Sequence, residues 1–312
     1  MLSRNAESLF WMGRFIERAD YLARILDAGI RLSALPAPGG DTGNEWESAL
    51  ASAGVNVAFH ALHGEAEEGS VWDFLAFDAV NPSSIVSCLT AARTNARAVR
   101  TMITAELWEA INDAWNSLAR RGHPTDRARF TSFLDWVKTV SLAFDGAAHR
   151  TLLRNDGYHF LRLGAELERA DNTARLLDVK YHLLLPPGEQ VGGGLDFFHW
   201  TTLLREVSAV TAYRWLYRET IKPWLVADLM ILNRQMPRSL ASCQHMIVEH
   251  LDALADDYGR QGESQRLAST GLLQLEDANM TDIFQSGLHE FIQAFLFANN
   301  RLGSAIADQY LR

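Results

Sequence analysis

Glu17, Asp20, Arg24 and Asp27 recur at i, i+3, i+7 and i+10. At 3.6 residues per turn they fall on one helix face. Glu168, Asp171, Arg175 and Asp178 repeat the pattern 151 residues later, and Arg18 and Arg169 sit one step round in each. Carboxylates and arginines gathered in this way allow two chemistries. One is a reciprocal ion-pair network, with Glu17 and Arg18 of one helix meeting Arg169 and Glu168 of the other. Such pairs set register even where their net stabilisation is near zero. The other is a polar pocket for a charged ligand or a partner's side chain, with pKa values perturbed by low dielectric.

A second set is Arg93, Arg97 and Arg100 at i, i+4 and i+7, a cationic ridge. A solvated face is the ordinary outcome of such spacing. Guanidinium forks also suit phosphates and carboxylates, so an anion or an acidic partner fits as well. Glu106, Glu109 and Asp113 follow, giving a dipolar ridge suited to a protein partner. The later part of the chain carries Val248, Glu249 and His250 near the matching positions, so the ridge is written once.

Other chemistries lack their residues. No Glu has a His three residues on, which removes the di-iron bundle pattern. His60 and His63 beside Glu65 and Glu67 read as solvated, and no metal site is expected. Cys88 and Cys243 read as small buried residues. There is no Gly-rich phosphate loop and no Gly-x-Ser-x-Gly, so no cofactor is expected and any ATP belongs to a partner.

These residues need helices to carry them. Leu9, Met12, Ile16, Ala19, Ala23, Leu26 and Ile30 form one apolar stripe, which predicts a helix over about 3–32. Similar patterns predict helices over about 45–62, 81–119, 126–153, 157–185, 196–219, 223–232, 237–258 and 281–310. A polar, acidic loop is expected over 63–70. Asn81-Pro82 reads as a helix start. Pro186-Pro187-Gly188 and Gly192–Gly194 read as a break and a linker. Period-two alternation is missing, so strands are not expected.

Comparing the chain with itself gives its strongest regularity. Residues 13–27 and 164–178 agree at nine of fifteen positions, where ordinary composition would give about one. Pro82-Ser-Ser-Ile-Val-Ser-Cys88 faces Pro237-Arg-Ser-Leu-Ala-Ser-Cys243 at offset 155, with four of seven identical. Asp135-Trp136-Val137 matches Glu290-Phe291-Ile292 more weakly. The expected fold is an all-α helical bundle made by tandem duplication. Its halves, residues 1–155 and 156–312, would pack together about a pseudo-twofold axis.

The whole chain has 312 residues, 48% hydrophobic and 21% charged, which suits a folded core. A net charge of −9 argues against nucleic acid as partner. No apolar run reaches the roughly 18 residues of a membrane span. Arg4, Glu7, Arg14 and Glu17 stand where a signal peptide needs an apolar core. A cytoplasmic protein is expected.

The segment Leu9-Phe-Trp-Met-Gly-Arg-Phe-Ile-Glu-Arg-Ala-Asp-Tyr-Leu-Ala-Arg24, preceded by Met1-Leu-Ser-Arg4, resembles the bacterial alpha-E family, a helical domain named for its Glu-Arg motif. Arg93-Thr-Asn-Ala-Arg97 with Glu106-Leu-Trp-Glu109-Ala-Ile-Asn112 resembles a second block, and Pro237-Arg-Ser a third. The resemblance spans essentially the whole chain. It implies a setting beside, or fused to, circularly permuted ATP-grasp proteins and transglutaminase-like peptidases. It thereby implies a non-catalytic accessory or scaffold of a peptide or amide ligase system, acting by protein docking. Two alternatives stand beside it. One is an enzyme subunit whose Glu/Arg pocket takes an acidic peptide or phosphoryl group. The other is a small-anion sensor using the arginine ridge.

Overall fold

The computed structural model describes residues 1–34, 45–182 and 194–312. The described residues are helical throughout, with no strand among them. The fold is all-α. The turn and linker expected at 186–188 and 192–193 lie outside the described residues.

Two long helices form the centre, α1 (Ser3–Leu32) and, later in the chain, α8 (Asp156–His182). They cross where glycines remove the side chains. A Cβ on Gly13 would lie 2.2 Å from the carbonyl oxygen of Leu161, and a Cβ on Gly164 would lie 2.0 Å from that of Phe10. Gly13 and Gly164, like Phe10 and Leu161, are 151 residues apart. The two backbones therefore touch in a reciprocal way that any larger residue would block.

The helices between them are α2 (Glu45–Ala53), α3 (Asn56–His60), α4 (Glu68–Trp72), α5 (Ile85–Ala98), α6 (Ala105–Arg121) and α7 (Arg127–Thr151). After α8 come α9 (Gly194–Glu206), α10 (Val210–Tyr217), α11 (Pro223–Ile231), α12 (Leu240–Tyr258), α13 (Glu263–Asp277), α14 (Met280–Ser286) and α15 (Leu288–Ile306). Helices α5 and α7 flank α1, while α12 and α15 flank α8. Helix α2 reaches across to α8, and α9 reaches across to α1. The wrapping buries Leu9, Met12, Ile16, Ala19, Ala23 and Leu26, as their spacing predicts. Burying each large aliphatic side chain is worth roughly 1.5–3 kcal/mol.

Several expected helices are shorter than their apolar patterns. The segment over 45–62 breaks at Gly54, whose φ of +69° suits only glycine well. The helix expected over 81–119 is two, α5 and α6, separated at residues 99–104. Asn81 and Pro82 form the turn before α5. Ser84 is the cap, accepting from Ser87 N at 3.2 Å, and Thr104 caps α6 in the same way. The segment over 196–219 breaks at Ser208, φ +58°. The segment over 281–310 breaks at Gly287, φ +104°. Helix α13 was not expected. Its apolar positions are too sparse to show a stripe, and it is held by Gln265, which reaches Leu251 O at 3.0 Å and Tyr310 Oη at 2.7 Å. Part of the expected acidic loop over 63–70 starts α4, which continues as a π turn over Asp73–Phe77.

Candidate functional site

The polar stripes of α1 and α8 meet just C-terminal to the glycine crossing. Arg169 donates to Glu17 Oε2 at 2.7 Å, and Arg18 donates to Glu168 Oε1 at 2.5 Å. This is the reciprocal pairing that the Glu-Arg spacing allows. Glu17, Asp20 and Glu168 lie inside the interface, only 3%, 1% and 2% exposed, while Arg24, Asp27, Asp171, Arg175 and Asp178 are half-buried at its edge. Helices on several sides of α1 and α8 cover the three buried carboxylates.

The two halves of the cluster then diverge. Around Glu17, a third arginine arrives from the start of α12. Arg238 donates to Glu17 Oε1 at 2.6 Å and to Asp20 Oδ2 at 2.8 Å. Arg24 adds a bond to Asp20 Oδ2 at 2.7 Å and one to Glu206 O at 2.9 Å. On the far side, Arg169 also reaches both oxygens of Glu166, which Arg162 binds at 2.6 Å.

Around Glu168, the position matching Arg238 is Ser83. It accepts from Arg18 Nη1 at 3.2 Å. The third arginine is Arg14, one turn before Arg18 on α1, which donates to Glu168 Oε2 at 2.7 Å. Arg175 binds Asp171 Oδ2 at 2.7 Å, the counterpart of Arg24 on Asp20. Where Arg238 would lie, a cavity of about 180 Å³ remains.

Burial alone would raise the Glu17 carboxyl, but Arg169 and Arg238 outweigh it and hold the group below the ordinary carboxylate range. Glu168 is likewise lowered, with Arg14 and Arg18 overcoming burial. Both motif carboxylates are thus charged near neutrality. Glu206 is the opposite case. Burial and the nearby Asp27 raise its carboxyl well above the ordinary value, against the pull of Arg24.

The outer ends of the stripes are also tied. Lys138 donates to Asp27 at 3.2 Å, and Gln293, 155 residues on, donates to Asp178 at 2.8 Å. Cys88 and Cys243 are buried free thiols, with burial pushing Cys88 up to about 12.

The arginine ridge is rearranged. Arg100 lies past the end of α5, so the three residues do not share one helix face. Arg93 stacks on Trp115 at 4.2 Å and donates to Asn112 at 3.1 Å, while Arg100 lies 5.4 Å from the Trp108 ring. Arg97 is exposed. The aromatic residues of α6 hold two of the three side chains.

A family model described as a predicted alpha-helical domain with a conserved ER motif, Alpha-E, matches residues 1–311. The chain belongs to the Alpha-E family. The Glu-Arg dipeptide stands twice in it, at Glu17-Arg18 and Glu168-Arg169, and both copies lie in the buried cluster. Two uncharacterized proteins, from Mycobacterium bovis and Mycobacterium tuberculosis, are each 24% identical over 262 residues. The match covers 76% of this chain and 28% of each relative, so the chain spans about a quarter of their length. No solved structure matches the chain.

Sequence reasoning missed Arg14, Arg162, Glu166 and Arg238. For two of them a signal existed. Arg14 faces Ala165, and Arg238 faces Ser83, in the aligned blocks. Positions where the copies differ mark where the two halves complete their networks differently.

Proposed function

We propose that this Alpha-E chain is a non-catalytic docking module of an ATP-grasp peptide or amide ligase system in the bacterial cytoplasm. In this reading the module is a tandem duplication, with repeats over 1–155 and 156–312. The reciprocal glycine crossing and the reciprocal Glu-Arg pairs support the duplication. The ATP-grasp partner, with a transglutaminase-like peptidase as a second, rests on the family resemblance. The Glu/Arg cluster serves as internal cement, because Glu17 and Glu168 are each paired with two arginines and held charged.

The observation that carries the docking reading is a set of large apolar groups left in water on the adjoining helices α10 and α11. Trp215 on α10 is 77% exposed, Leu216 beside it 45%, and Trp224 at the start of α11 51%. Hydrogen bonds tie together the backbone that carries them. Tyr213 Oη accepts from Lys222 N at 3.0 Å and donates to Thr220 O at 2.9 Å, and Tyr217 donates to Asp228 at 2.5 Å. Exposed tryptophans on a fixed scaffold are typical anchors of protein interfaces. Arg214 and Arg218 beside them suit a partner with an acidic rim. The relatives carry the matching region within a much longer chain, which supports a module that works with other parts.

The test is co-purification with an ATP-grasp protein of the same genome. The wild-type chain is expected to capture it. Trp215→Ser with Trp224→Ser is expected to weaken capture at least about tenfold. Undiminished capture by the double variant rejects the face. Saturable micromolar ATP binding by the isolated chain in calorimetry rejects the accessory role.

A further inference from the structure

The residues that line the cavity beside Ser83 include donors and acceptors without partners. Asn172 is 5% exposed, and its Nδ2 has no partner. Asp171 Oδ1 is buried and has no partner either. Arg175 uses only Nε, on Asp171, so its two terminal nitrogens are unspent among the described residues. All three residues line the cavity, together with Arg18, Ser83 and Glu168. Buried donors and acceptors without partners, such as Asn172 Nδ2 and Asp171 Oδ1, destabilise a fold, a cost that a ligand would offset.

The other half shows how the same space is filled. There Arg238 places a guanidinium across Glu17 and Asp20. In this half, Arg14 already supplies the third positive charge. Arg14, Arg18 and Arg175 against Glu168 and Asp171 leave one net positive charge. A fourth guanidinium is therefore disfavoured. A simple anion would meet Arg175 and Asn172 but would also face the Asp171 carboxylate. The group that satisfies every unspent bond carries both signs: a carboxylate on Arg175 and Asn172, and an ammonium on Asp171.

We propose that this cavity binds a free α-amino acid by its zwitterionic head. A peptide terminus presents only one of the two charges. At about 180 Å³ the cavity has room for a small amino acid. Leu22, Val55 and Leu75 supply an apolar wall for an aliphatic side chain. The proposal stands apart from the docking reading, since it concerns a different part of the molecule and either can fail alone.

The experiment is calorimetry on the full chain with glycine, alanine and valine as probes. Saturable binding of at least one is expected. Alaninamide and N-acetylalanine, each lacking one charge, are expected to bind at least about tenfold more weakly than alanine. Ser83→Arg, which restores the counterpart of Arg238, is expected to abolish binding. Should that variant not fold, Arg175→Gln serves, with an expected loss of about tenfold or more. The proposal is overturned by no saturable binding of any of the three, or by equal binding of alanine and its blocked forms. Binding of inorganic phosphate in place of amino acids overturns it too, as does wild-type affinity in a folded Ser83→Arg or in Arg175→Gln.

Discussion

Glu17→Gln tests the buried cluster most directly. The substitution keeps the shape and removes the charge. Glu17 accepts from Arg169 at 2.7 Å and Arg238 at 2.6 Å, and both arginines are largely buried. Breaking a buried ion pair from one side costs about 3–5 kcal/mol. Arg169 would keep Glu166 and Arg238 would keep Asp20, so the lower end applies, about 3 kcal/mol. At about 2 °C per kcal/mol for a chain of this size, the melting temperature should fall by roughly 6 °C. Glu168→Gln should cost less. Arg14 and Arg18 are 18% and 23% exposed, Arg14 lies 5.0 Å from the Trp11 ring, and Arg18 keeps Ser83. About 1.5 kcal/mol, or roughly 3 °C, is expected there. The pH dependence adds a check. The Glu17 carboxyl is lowered from 4.5 in the fold, so its contribution is present above pH 4.5 and is lost as pH falls below that. The gap between wild type and Glu17→Gln should therefore be flat from pH 5 to 8 and close in acid. Thermal melts across that range decide. A Glu17→Gln melt within 2 °C of wild type, or a larger loss from Glu168→Gln, would refute the reasoning.

Gly164→Ala should be among the most destabilising single changes, because its Cβ would meet the Phe10 backbone and force α1 and α8 apart; a loss of about 3 kcal/mol or more in urea unfolding is expected, and a loss under 1 kcal/mol would contradict the crossing. Burial, with His159, Arg162 and Arg154 adding to it, holds His250 down at about 3, against an ordinary 6.5. Its neutral form favours the fold above pH 6.5, and that advantage is lost as pH falls, about 2 kcal/mol by pH 5. His159, which faces it at 3.2 Å with Glu249 and Asp257 nearby, is lowered by burial too, while Glu206 titrates in the opposite sense. The comparison is therefore with His250→Gln, whose stability should fall less between pH 7 and 5; equal slopes would exclude the histidine. Arg97→Glu should leave the melt within about 0.5 kcal/mol of wild type, because the side chain is exposed, and a larger loss would contradict that exposure.

Much of the fold was legible because it depends on local periodicity. The apolar stripe of α1 predicts its bounds, and α7 and α8 begin at Arg127 and Asp156, each within a residue of the start that its pattern predicts. The errors fall where backbone geometry overrides pattern. Gly54 and Gly287 permit left-handed backbone that the surrounding stripes do not announce, and Ser208 adopts it without being glycine. Helix α13 is set by polar contacts to α12 and Tyr310, which no stripe in its own sequence records.

The candidate site divides along the same line. The Glu-Arg spacing on α1 and α8 allowed Glu17 to meet Arg169 and Arg18 to meet Glu168 but left a ligand pocket open as well; the close crossing at Gly13 and Gly164 brought the like positions together. The spacing could not determine burial, which depends on how many helices surround the pair. Nor could it determine that the halves differ in outcome. Arg238 seals one half and Ser83 leaves the other open, and that contrast exists only because the starts of α12 and α5 are folded back onto α8 and α1. The charge pattern belongs to the sequence. Which charges are spent, and which still face an unfilled cavity, was decided by segments brought in from more than sixty residues away.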